Sequence, residues 1–133
     1  MMLKVTPIQS KEDQRVACEK CGAAYDPDLL AYELSEEGKT LGVCQFKMAP
    51  EGGVIRTIDL IDDKFDLFYM LCAGTMNFIE LCGALYAYLD APVEAVRAKA
   101  MSFDRDETGH WRSDLKAFFS SPCKSCGKKT EEN

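Results

Sequence analysis

The stretch that decides the fold is VIRTIDLIDDKFDLFYMLCAGTMNFIELCGALYAYL, residues 54–89. Its opening, Val54 to Ile61, is short and rich in β-branched residues. The turn Ala49-Pro50-Glu51-Gly52-Gly53 precedes it and Asp62-Asp63 follows, so it is predicted to be a strand. Phe65 to Cys82 is too long for a strand, and its Leu, Met and Ala content favours a helix despite Gly74 in the middle. Gly83 supplies the usual helix stop, and Ala84 to Leu89 reads as another strand. A strand, a helix and a strand in succession imply a right-handed crossover, which sets the two strands parallel.

The helix carries no charge between Asp66 and Glu80. A helix apolar all round has to be covered on most sides. A sheet covers one, and a second copy packed over residues 65–82 would cover another, so a homodimer is expected. In the alternative, Cys72, Ala73, Gly74 and Thr75 form a tolerable small-residue surface.

Upstream, Leu30 to Leu34 and Thr40 to Met48 are strands joined by the turn Ser35-Glu36-Glu37-Gly38-Lys39, with Cys44, Phe46 and Met48 on one face. With Val54 to Ile61 they make an antiparallel meander. Leu3 to Ile8 is a short edge strand limited by Pro7. Ser10 and Asp13 cap a short helix toward Ala17, which the first cysteine pair interrupts. Downstream, Pro92 opens a helix to about Ala100, residues 104–109 are a loop, and Ser113 caps a last short helix through Phe119. No repeat and no internal boundary is evident, so residues 1–133 are read as one α+β domain. Its mixed sheet combines the antiparallel meander with one parallel crossover strand, and two main helices accompany it.

The formal net charge of −6 disfavours nucleic acid and anionic membrane surfaces as partners. No segment reaches the roughly 18 apolar residues of a membrane span. Met1 to Ile8 lacks the pattern of a secretion signal. Seven cysteines without such a signal point to a reducing cytoplasm, where paired cysteines more often hold metal than form disulfides.

Two knuckles share one form: Cys18-Glu19-Lys20-Cys21-Gly22 and Cys123-Lys124-Ser125-Cys126-Gly127. Two residues between cysteines let one tight turn aim both sulfurs at a common ion, and the glycine accepts the positive φ such a turn often requires. Cys18, Cys21, Cys123 and Cys126 therefore read as one closed four-thiolate zinc site, structural in role, clipping the two ends of the domain together. Lys20, Lys124, Lys128 and Lys129 would offset the surplus negative charge. The competing readings are two unrelated pairs or a dithiol redox site. Cys44, Cys72 and Cys82 read as buried small apolar residues rather than ligands. His110, beside Trp111, reads as a surface contact.

The element order from Leu30 to Phe103 resembles the core of the GNAT superfamily of N-acetyltransferases. The likeness is strongest at Ile58-Asp59-Leu60 leading into Met76-Asn77-Phe78-Ile79-Glu80-Leu81-Cys82-Gly83-Ala84-Leu85. It implies acyl transfer from acetyl-CoA to an amine, on a small molecule or a protein. The family's Gln/Arg-x-x-Gly-x-Gly/Ala loop would fall near Asp63, Asp66 and Phe68, so the resemblance assigns cofactor binding to the backbone of Lys64, Phe65, Asp66, Leu67 and Phe68. Neither glycine is present. Asp59, Asp62, Asp63 and Asp66 crowd the place, with Lys64 as the nearby cation. The family's tyrosine before Gly-Phe would fall near Ala98 and Ser102-Phe103 and is absent, so no catalytic residue is assigned. These departures support a second reading, a non-catalytic, zinc-stabilised binding or dimerisation module on the same fold. A zinc-ribbon nucleic-acid protein is a third, which the charge opposes. If the four thiols share an ion, Cys126→Ala will lose bound zinc by metal analysis together with much of its thermal stability. Less than half an equivalent of metal in the wild-type chain would refute the site.

Overall fold

The computed structural model describes residues 2–120. In chain order the elements are β1 Leu3–Pro7, α1 Lys11–Cys21, β2 Leu30–Glu36, β3 Lys39–Ala49, β4 Gly52–Leu60, α2 Phe65–Leu81, β5 Tyr86–Leu89, α3 Ala95–Ala100, β6 Phe103–Arg105, β7 Trp111–Asp114 and α4 Leu115–Ser120. Among the described residues seven strands form one sheet in the order β1-β2-β3-β4-β5-β7-β6. The first four strands pair antiparallel, β4 and β5 pair parallel, and β5, β7 and β6 return to antiparallel pairing. The expected α+β class, mixed sheet and single parallel crossover are therefore present.

Local chemistry accounts for the meander. Glu37 and Gly38 both have positive φ, 51° and 83°, the backbone that matches a two-residue turn to the twist of β2 and β3. α2 buries Phe68, Leu71, Cys72, Thr75, Met76 and Ile79, a spacing that puts them on one stripe of the helix. That stripe packs on Leu34, Cys44, Phe46, Ile55, Ala87 and Leu89 of the sheet, and together they form the main core. Gly74 has a packing reason: a β-carbon there would lie 2.5 Å from Cγ1 of Val5, so the edge strand β1 rests directly on the helix backbone. The small residues expected to form a bare surface thus include Cys72 and Thr75, which face the sheet and are fully buried. On the outer side of α2, Phe118 of α4 packs its ring 6.4 Å from that of Tyr69, while Phe65, Tyr69 and Leu81 stay exposed.

Three local expectations are corrected. α1 is not interrupted by the first cysteine pair but runs through it to Cys21, ending at Gly22 with φ 72°. Ala17 and Cys18 pack on Ala31 and Val43, and this burial carries the helix past its weak propensity. Residues 104–109 are a loop only from Asp106 onward: Asp104 and Arg105 belong to β6, which pairs with β7 in a hairpin of strands too short to show a period in sequence. Ser113 does not cap α4; it is buried in β7 and donates to the Met101 carbonyl at 3.1 Å, while the Asp114 carboxylate accepts from the Ala117 amide.

The other face of the sheet is built differently. α1 covers β2 and β3 only, through the small cluster of Ala17, Cys18, Ala31 and Val43. Buried Gln45 fills the junction. Its amide donates to the Ala24 carbonyl at 2.8 Å and Thr57 Oγ1 at 3.1 Å, and its oxygen accepts from Gln14 Nε2 at 2.9 Å and the Asp26 amide at 3.1 Å. Every hydrogen-bonding position of that side chain is used. No described helix is long and apolar enough to span a membrane.

Gly52 fixes the start of β4. Its φ is 150°, and a β-carbon there would stand 2.2 Å from the Tyr86 carbonyl oxygen of β5. Gly52→Ala is expected to lower unfolding stability by roughly 2 kcal/mol or more, read as a lower urea midpoint with an unchanged slope.

Candidate functional site

The site begins where the parallel pairing ends. β4 and β5 pair only at Gly53–Ala87, Val54–Tyr88 and Ile55–Leu89, and one further bond joins the Asp90 amide to the Ile55 carbonyl at 2.8 Å. β4 runs on to Leu60 bonded to β3 alone. Its free edge, residues 56–60, diverges from the segment 90–94 that leads into α3, and a wedge opens between them. The wedge contains a cavity of about 290 Å³ lined by Ile58, Asp59, Leu60, Asp63, Phe68, Pro92, Val93, Glu94 and Arg97. A strand edge of this kind offers unpaired backbone groups to an amide-bearing ligand.

α2 points its N-terminus at the mouth of the wedge. Lys64 at the N-cap gives no side-chain cap, and the first bond of the turn runs from the Phe68 amide to the Lys64 carbonyl at 3.0 Å. The amides of Phe65, Asp66 and Leu67 therefore stand at the open, electropositive end of the helix. Of the five residues assigned from sequence, Phe68 is buried with its ring in the cavity lining, while Lys64, Phe65 and Asp66 are exposed and Leu67 is half-buried. Lys64 turns to Asp62, with Nζ 3.4 Å from its carboxylate.

The cation in the cavity lining, Arg97, carries no signal in the sequence. Arg97 of α3 lies thirty-four residues beyond Asp63, too far along the chain for any local pattern to link them. Its guanidinium stacks 5.3 Å from the Phe68 ring centroid and bonds Asp63 Oδ1 at 2.6 Å. Glu94 is a looser neighbour at 3.8 Å. Asp59, in the same lining, has its carboxyl raised above the ordinary value by burial.

A second cavity, of about 540 Å³, opens at the same place on the face away from α2. Tyr88 alternates with buried Ala87 and Leu89, so its ring lies on this side. Lys47, Glu51, Arg56, Asp90, Thr108 and His110 join it, and Arg56 Nε approaches Asp90 Oδ2 at 3.4 Å. His110 stands at the lip. Its Nδ1 is 2.8 Å from Thr108 Oγ1, which donates to Asp106 Oδ1 at 2.7 Å. Asp106 also accepts from the His110 amide, and these bonds, that of Thr108 first, hold its carboxyl below the ordinary carboxylate range.

Cys18 and Cys21 share one side of the last turn of α1, Cys18 buried and Cys21 half-buried. Cys123 and Cys126 lie outside the described residues. Among the described residues no group of three or more His, Cys, Asp or Glu is arranged to hold a metal ion. The pair closes a helix rather than opening one, so the helix dipole opposes a thiolate there, contrary to what a dithiol redox site requires. Burial, followed by the charge of Asp59, pushes both thiols up, Cys21 to about 12. Burial likewise raises Cys44 to about 12 and Cys72 well above the usual thiol value.

Coenzyme A, which the resemblance implies, meets a mixed set of groups here. The free edge of β4 suits the amides of its pantetheine arm, and the open helix end together with Arg97 suits its diphosphate. The Asp63 carboxylate, on Arg97 itself, is the first competing group, and Asp59 and Glu94 add two more carboxylates to the lining. As a check on the described thiols, maleimide labelling of the native chain mapped by mass spectrometry is expected to modify exposed Cys82 first, with Cys18, Cys44 and Cys72 labelled only after denaturation.

No family model matches the chain, and no curated protein matches it. Solved structures do. The ribosomal-protein-S18-alanine N-acetyltransferase from Escherichia coli superposes with a TM-score of 0.67 at 11% identity, over 86% of this chain and 94% of that one. An N-acetyltransferase from Staphylococcus aureus Mu50 gives 0.67 at 9% identity, over 87% and 99%. The PaiA N-acetyltransferase from Thermoplasma acidophilum, solved in complex with coenzyme A, gives 0.58 at 12% identity, over 86% and 99%. With nearly the full length of each neighbour covered, the chain has the fold of the GNAT N-acetyltransferases.

Proposed function

We propose that the chain is an amine N-acyltransferase whose wedge binds an acyl-CoA, acetyl-CoA in the simplest case. The observation that carries this reading is the early end of β4–β5 pairing, which exposes a strand edge beneath an open helix N-terminus and opens a cleft on each side. A bound thioester supplies an activated acyl group. The chain's own share is to hold the arm along residues 56–60, to hold the diphosphate at the amides of Phe65, Asp66 and Leu67, and to present the acceptor from the opposite cleft. Glu51, Asp90 and Asp106 there suit an acceptor that arrives as a cation, on a small molecule or a protein. Cys18 and Cys21, with Cys123 and Cys126, would hold one structural zinc, in keeping with a reducing cytoplasm.

A second reading is a non-catalytic, zinc-stabilised dimerisation module. It is favoured by the Asp63–Arg97 pair in the place of the diphosphate and by exposed Phe65, Tyr69 and Leu81 on α2, the surface on which a second copy would pack. Thermal shift separates the two. Acetyl-CoA at a hundred times its dissociation constant adds about 2.7 kcal/mol, a rise of several degrees for a domain of this size. No rise at millimolar acetyl-CoA, together with a dimer by light scattering, would replace the first reading by the second.

A further inference from the structure

The ion pair at the mouth of the wedge is lopsided. The Arg97 side chain is only 17% exposed, whereas that of Asp63 is 79% exposed. The guanidinium is seated on the Phe68 ring, with Nη2 3.4 Å from the Asp63 main-chain carbonyl and Nε 3.8 Å from Glu94 Oε1, a contact that stays when the Asp63 side chain leaves. The Asp63 carboxylate, by contrast, approaches from the solvent side on a loop residue. An ion-pair partner held in water contributes little, so it leaves at small cost. The guanidinium fork that donates to a carboxylate donates to two phosphate oxygens equally well.

We propose that Arg97 is the diphosphate ligand of this chain and that Asp63 is its exchangeable counter-ion, resting on the anion position when no ligand is bound. The proposal rests on the acyl-CoA reading and adds to it the residue that compensates for the missing glycines. One of their places is taken by Phe68, whose ring supports Arg97 where a glycine would have let a phosphate approach the backbone. Charge thus comes from α3, across the wedge, instead of from a bare loop at the start of α2. Asp63 limits affinity, since an incoming diphosphate must displace it.

Calorimetric titration of coenzyme A into the full chain tests this, with folding of each variant checked by its melting curve. Asp63→Asn is expected to bind about three- to fivefold more tightly than wild type, the range an exposed pair commands. Arg97→Met is expected to weaken binding about tenfold or more through loss of charge-assisted bonds. Arg97→Lys keeps the charge and the aliphatic stem, guards against misfolding of the Met variant, and is expected to fall between it and wild type. Val96→Ala, on the exposed side of α3, should match wild type. Binding by wild type that neither Asp63→Asn nor Arg97→Met alters would overturn the exchange while leaving the acyl-CoA reading in place. Failure of wild type and of folded Asp63→Asn alike to bind coenzyme A at millimolar concentration would remove that reading and the exchange with it.

Discussion

Two neighbouring strands that stay together for three residues and then part create the only wedge in the sheet framed by α2 and α3 among the described residues. A fully paired sheet would satisfy its backbone internally and present two closed faces. Here β4 keeps β3 on one side through Leu60 and has nothing comparable on the other. That imbalance needs support, because an unpaired edge is held in place only by what lies behind it. Ile58 and Leu60 supply this by packing into the core beneath α2. The wedge is therefore anchored by apolar burial and open along its polar backbone, a combination suited to a long ligand with regularly spaced amides.

The electrostatics of the wedge follow from where charges can be afforded. Acidic residues near the first turn of α2 favour the helix itself, and the sequence places Asp62, Asp63 and Asp66 there. The structure divides their attention: Asp62 meets Lys64 and Asp63 meets Arg97, so the acid around the helix start is partly neutralised before any ligand arrives. A region that reads from sequence as hostile to phosphate keeps an excess of carboxylates in three dimensions, with Asp59 and Glu94 also in the lining, but it gains one guanidinium turned inward.

Much of this was legible from the chain. Residues 54–89 gave strand, helix and parallel strand because each has a long or strongly typed pattern, and the Glu37-Gly38 turn has chemistry that a sequence displays openly. What escaped reading depends on contacts between distant residues. α1 continues past Ala17 because Cys18 is buried against β2 and β3. β6 and β7 have three and four residues, below the length at which alternation can be recognised. Gly74 looks like a defect in a helix until Val5 is found lying across it. Arg97 looks like an ordinary residue of a short helix until α3 folds over Phe68. For the same reason the resemblance could point to residues 64–68, whereas neither the parting of β4 from β5 nor the charge balance beside it could be read from sequence.

The four-way cluster at Gln45 has a mechanical consequence. Apolar contacts are non-directional, whereas hydrogen bonds depend on angle as well as distance and so fix the relative position of the groups they join. Gln45 sits on β3 and ties together Gln14 of α1, the backbone at Ala24 and Asp26, and Thr57 on the wedge's own strand. Any displacement of β4 that spreads or narrows the wedge must either carry α1 along or stretch this cluster. The thiols of Cys18 and Cys21, at the end of that helix, are in this way geared to the strand that would carry a ligand on the far side.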